Sequence, residues 1–144
     1  MEPEISFKSE KMPNPTDSWK NILVVDDDPL MCFMLKEFLR KEGFSISIAK
    51  DGNEAIRTVI AQRVDLIILD VVMPNISGPE FLKMIRNQYA SYGSHIPVII
   101  ISAFETKELK ELGYDITGYQ FMTKPLDMHE LLRWIKHLIA FGES

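Results

Sequence analysis

The chain has 144 residues, 46% of them apolar and 26% charged, with a formal net charge of −5. That composition fits one soluble domain with a buried core, and the acidic balance argues against the basic face that broad nucleic-acid binding needs. A lone cysteine, Cys32, excludes an internal disulfide, the acidic N-terminus lacks the apolar segment of a signal peptide, and no apolar run approaches bilayer length, so a cytoplasmic setting without membrane contact is expected.

Residues 1–19 carry Pro3, Pro13 and Pro15 among scattered charges without periodicity. They read as a tail, mobile at least in part, with Trp19 placed to cap the core edge, and the domain proper is expected over 20–144. The run Ile22-Leu23-Val24-Val25 reads as a buried strand and ends in Asp26-Asp27-Asp28-Pro29. Asp28 before Pro29 is a helix-start signal, an N-cap followed by proline at the first helical position. Asp26 and Asp27 are surplus to that role, because one helix needs one N-cap. In the helix after Pro29, Met31, Met34, Leu35 and Phe38 fall at helical spacing, and Gly43 stands at the expected C-terminal cap.

Strand 45–49 alternates polar and apolar residues and suits a sheet edge. The next helix carries Ala55, Ile56, Val59 and Ile60 on one face. Strand 66–69 is apolar at every position and ends at Asp70. Ser77-Gly78-Pro79-Glu80 matches a capping box ahead of Phe81, Leu82 and Ile85. Strand 98–101 ends at Ser102, and a short polar helix is expected over 106–112, stopping at Gly113. Strand 119–122 leads into Lys124-Pro125. Asp127 then caps a last helix, with Glu130 three residues on and Leu131, Ile135 and Leu138 facing inward.

Strand and helix alternating five times predict an α/β fold, a five-stranded parallel sheet wound with helices on both faces. Ligands in such sheets sit outside the carboxyl ends of the strands. Asp26, Asp27, Asp70, Ser102 and Lys124 all fall at those ends. Each alone has an ordinary structural explanation, as a cap, a buried hydroxyl or a solvated lysine. Four strand ends placing polar groups at one edge is a different matter. Clustered carboxylates suit a hard cation, Mg²⁺ above all. With it, one carboxylate can attack phosphorus while the metal and a lysine neutralise the developing charge. Asp70, centred in the sheet, is the candidate nucleophile, and Lys124 pairs with it. His95, His129 and His137 make no transition-metal spacing and read as surface residues. No glycine-rich nucleotide loop is present.

The segments Val-Val-Asp-Asp, Leu-Asp-Val-Val-Met-Pro-Asn-Ile-Ser-Gly, Ile-Ser-Ala and Lys-Pro, in this order over about residues 20–141, resemble the receiver domain of two-component response regulators. The resemblance implies a flavodoxin-like fold with strand order 2-1-3-4-5 and phosphorylation by a histidine kinase or a histidine phosphotransfer protein. It makes Asp70 the phosphoacceptor. Asp26 and Asp27 become the acidic pair, Asp27 the more direct Mg²⁺ ligand, and Val72 offers its backbone carbonyl to the metal. Ser102, with Ala103 beside it, belongs to the phosphate-binding set, and Phe121 is the switch aromatic. Lys124 is the phosphate-pairing lysine, joined to Pro125 by a cis bond. Ser77 departs from the family's usual Asp, but serves equally well as an N-cap. Val72 and Phe104 are apolar at positions that influence phosphoryl lifetime, so slow self-dephosphorylation is expected.

Phosphorylation is then expected to change the face formed by the fourth predicted helix, the fifth strand and the last helix. Its readers would be a downstream protein, a covalently linked output domain or a second copy of the chain. Direct nucleic-acid binding by this domain and turnover as an enzyme are not expected. Two other readings are weaker. A Mg²⁺-dependent phosphatase of the haloacid dehalogenase type would use Asp26-x-Asp28 and needs a substrate cap for which the chain has no room. An unphosphorylated docking module would not need the full set of site residues.

Overall fold

The computed structural model describes residues 19–73 and 75–143, with side chains described through residue 140. The expected tail, apart from Trp19, lies outside the described residues. In chain order the elements are β1 (Asn21–Val25), α1 (Pro29–Lys41), β2 (Ser45–Ala49), α2 (Gly52–Ala61), β3 (Leu66–Asp70) and α3 (Gly78–Arg86). Next come α4 (Ala90–Gly93), β4 (Val98–Ser102), α5 (Thr106–Glu111), β5 (Gln120–Thr123) and α6 (Met128–Glu143).

The strands form one parallel sheet in the order β2-β1-β3-β4-β5, as the resemblance implied. Successive strand residues point to opposite faces. Leu23, Val25, Ile67, Leu69, Val98 and Ile100 therefore meet α2, α3 and α5, while Ile22, Val24, Leu66, Ile68, Ile99 and Ile101 meet α1 and α6. Every residue of β3 and β4 is buried, which is why those segments show no alternation. β2 is an edge, and its alternating sequence matches its half-buried state.

Local chemistry sets the helix ends. Asp28 accepts the Leu30 N–H at 3.0 Å and starts α1, with Pro29 in the first turn. The helix stops where Gly43 adopts φ +95°, a conformation that costs a side-chain-bearing residue more. Ser77 and Glu80 close the expected capping box on α3. A Cβ on Gly78 would lie 2.6 Å from the Val71 Cα, so glycine lets α3 begin against the end of β3. Asp127 accepts the N–H groups of His129 and Glu130 at the start of α6.

Two expectations need correction, and one element was not expected. The buried face of α1 is Cys32, Leu35 and Leu39, with Met31 and Phe38 packed at its border, and Met34 is exposed. Apolar residues on both sides of this helix made two faces readable. Ile60 likewise points outward from α2. The short α4 was not anticipated: it spans one turn, has no side-chain cap and carries no periodic apolar pattern. Leu131 and Ile135 of α6 are buried as expected, and Leu138 packs partly against them. Among the described residues no helix is long and apolar enough to cross a membrane.

Candidate functional site

β1 and β3 are neighbours, and each delivers a carboxylate to the same sheet edge. Asp26 comes directly after β1 and is fully buried, and Asp70 ends β3 with 7% exposure. Asp27 stands beside them, exposed. One ligand oxygen from each of Asp26, Asp27 and Asp70 lies within 4.8 Å of the others. Asp28 is outside this trio and carries the cap of α1.

Lys124 enters from the end of β5 and spans both buried acids. Its Nζ donates to Asp26 Oδ2 at 2.9 Å and to Asp70 Oδ2 at 3.2 Å. Sequence alone pairs Lys124 with Asp70, yet Asp26, 98 positions away, is the nearer partner. The other oxygens are held by backbone: Asp28 N–H donates to Asp26 Oδ1 at 2.9 Å, and Val72 N–H to Asp70 Oδ1 at 3.1 Å. The Lys124 N–H donates to the Ser102 carbonyl at 2.7 Å, which ties the lysine to β4, and the Lys124–Pro125 bond is cis.

Ser102 is fully buried at the end of β4, and its Oγ accepts the Phe104 N–H at 3.0 Å. Ala103 is exposed beside it and Val72 half-buried. Phe121 is half-buried on β5, against the apolar layer under α2, α3 and α5. His95, His129 and His137 are all exposed. Cys32 was not expected near the acids, yet its Sγ donates to the Asp26 carbonyl at 3.2 Å. Burial, with the charge of Asp26 behind it, pushes the thiol up to about 11, so it remains protonated and offers no thiolate to a metal. Its position on the inner face of α1 was the available signal.

The electrostatics derive from burial. Desolvation, aided by the negative charge of Asp26, pushes the Asp70 carboxyl up to about 6. Burial opposes the Lys124 ammonium, but its hydrogen bonds and the charges of Asp26 and Asp70 outweigh that and hold it above the ordinary lysine value. One ammonium against three carboxylates leaves an uncompensated negative charge. A carboxylate oxygen has two acceptor sites, and each oxygen of Asp26 and Asp70 has one such hydrogen bond. The free acceptor sites, the all-oxygen donor set and the surplus charge fit a divalent hard cation.

A family model for the response regulator receiver domain matches residues 22–136, and the chain belongs to that family. The uncharacterized transcriptional regulatory protein YcbL of Bacillus subtilis is 38% identical over 117 residues, which are 81% of this chain and 50% of that protein. The probable transcriptional regulatory protein TcrX of Mycobacterium tuberculosis is 33% identical over 118 residues, 82% of this chain and 49% of that one. The chain therefore spans about half the length of these relatives. Among solved structures, the receiver domain of the sensor histidine kinase PA1611 from Pseudomonas aeruginosa has a magnesium ion coordinated in its active-site cleft. It is similar with a TM-score of 0.75 and 27% identity, over 85% of this chain and 99% of that one. The response regulator TrrA from Thermotoga maritima, solved with Mg²⁺ and beryllofluoride, is similar with a TM-score of 0.68 and 34% identity, over 83% and 98%.

Proposed function

We propose that Asp70 is the phosphoacceptor of a two-component phosphorelay and that the chain receives its phosphoryl group from a histidine kinase or a histidine phosphotransfer protein. The observation that carries this is the buried Asp70 carboxylate held between the Val72 N–H and the Lys124 ammonium, beside Asp26 and Asp27. Asp26, Asp27, Asp70 and the backbone carbonyl of Val72 would hold Mg²⁺. When bound, the ion supplies positive charge against the phosphoryl oxygens.

The chain's own groups set up the transfer. The Val72 N–H and Lys124 orient the Asp70 carboxylate, and burial keeps bulk water from competing with it. A carboxylate oxygen forms the new bond to phosphorus as the phosphorus–nitrogen bond of the donor phosphohistidine breaks. The electron pair of that bond stays on the imidazole nitrogen. Lys124, already bonded to Asp70, remains as the counter-charge for the phosphoryl group. Ser102 then releases the Phe104 N–H to donate its hydroxyl to a phosphoryl oxygen, and Phe121 occupies the space this opens. The chain is thus a switch that is itself modified, not an enzyme that turns over a substrate. The changed face of α5, β5 and α6 is read by a downstream protein or a linked output domain.

Asp70→Asn tests the assignment. Labelling by acetyl phosphate with Mg²⁺ is expected to disappear while the circular dichroism spectrum stays native. Labelling at the wild-type rate would place the acceptor elsewhere.

A further inference from the structure

Arg86, the last residue of α3, reaches three segments at once. Its guanidinium donates to the Gly93 carbonyl at 2.5 Å and to the Ile96 carbonyl at 2.9 Å, which fastens α4 and the approach to β4. The same group stands 5.8 Å from the ring centroid of Tyr119, just ahead of β5. That is within reach of a cation–π contact, and the two carbonyl bonds fix the guanidinium so that little freedom is lost in making it.

Tyr119 and Phe121 are two residues apart, share one face of the chain and pack against the same apolar layer. Both line an open groove of about 700 Å³ between α5 and β5, together with Tyr114 and Ile116. The ring held by Arg86 is thus the neighbour of the ring that the phosphoacceptor reading makes the switch. In the arrangement described, Ser102 Oγ is engaged by the Phe104 N–H and Phe121 stands in the groove wall.

We propose that Arg86 is a positioning residue for the switch: by pinning Tyr119 it holds Phe121 in its resting place and biases the chain toward the unphosphorylated arrangement. The proposal rests on Asp70 being the phosphoacceptor. A contact made in one of two states favours that state, and a ligand of the other state must work against it. Losing the grip therefore favours the loaded state.

Beryllofluoride with Mg²⁺, as a phosphoryl stand-in, provides the test. Arg86→Met keeps a stem of similar length and removes the charge and every donor. It is expected to tighten apparent beryllofluoride binding by about threefold to tenfold, the range such a contact supports. Tyr119→Leu leaves the carbonyl bonds of Arg86 in place and is expected to do the same. The double variant should gain no more than either single one, and Arg86→Lys, which retains a charge, should fall between wild type and Arg86→Met. Unchanged affinity in Tyr119→Leu and Arg86→Met, with only a lowered melting temperature, overturns the proposal and leaves Arg86 a structural clasp. A wild-type chain that takes up no beryllofluoride refutes the phosphoacceptor reading itself.

Discussion

Asp70 is costly to the fold in the absence of a cation. Burial, and then the charge of Asp26, push its carboxyl up to about 6 in the folded protein from an ordinary value of 3.8. A carboxyl raised by folding binds its proton more tightly in the native state. Its stabilising contribution is fully present below about pH 4 and is lost as pH rises through about 6. In metal-free protein, Asp70→Asn is therefore expected to raise stability at pH 7 by about 1–2 kcal/mol, discounted for partial solvent screening. The gain should vanish near pH 4, and urea unfolding at the two pH values checks it. Equal effects at both would mean that the carboxylate is not strained. Cys32 belongs to the same scale. Its thiol meets a backbone carbonyl and stays neutral, so the acids have a sulfur neighbour without a sulfur ligand.

At the scale of elements, the three consecutive acids divide between the helix and the cleft. Asp28 belongs to α1 as its cap, whereas Asp26 and Asp27 belong to the cluster. Asp27→Ala is expected to weaken Mg²⁺ binding at least tenfold, as loss of a direct carboxylate ligand would. Asp28→Ser, which preserves a capping oxygen, should change it less than threefold and cost under about 1 kcal/mol of stability. Calorimetric titration of both variants decides this, and equal weakening would add Asp28 to the metal site. The caps at Asp28, Ser77 and Asp127 were legible because they are local: side chain and partner lie within three residues. The strand ends were legible because buried parallel strands are uninterrupted apolar runs. What escaped was tertiary. The rotation of α1 was ambiguous because Leu30, Phe33 and Met34 are apolar yet exposed, and α4, without a side-chain cap of its own, is fastened by Arg86 of α3. The Asp26–Lys124 bond joins residues no local pattern connects.

The molecule as a whole places its chemistry and its exposed apolar surface side by side. Leu30, Phe33 and Met34 are 64%, 61% and 45% exposed on the outer face of α1, directly after the acids. For a protein donor of phosphohistidine, as proposed above, this rim is the exposed apolar surface next in sequence to the acids, and acetyl phosphate would not need it. Phe33→Ser is expected to slow transfer from an autophosphorylated histidine kinase that labels the wild-type chain by about tenfold, the effect of losing one well-buried interface aromatic. Labelling by acetyl phosphate should be unchanged. Parallel slowing with both donors would point to damage at Asp70 instead. The lysine that spans the cleft has a consequence for quality control. Lys124 binds Asp26 and Asp70 through its side chain and Ser102 through its backbone, so β1, β3, β4 and β5 must all be docked before this cluster is assembled. On the proposed reading of Asp70 as the phosphoacceptor, a half-folded chain would not be labelled, and a signal would pass only through molecules that have completed their topology.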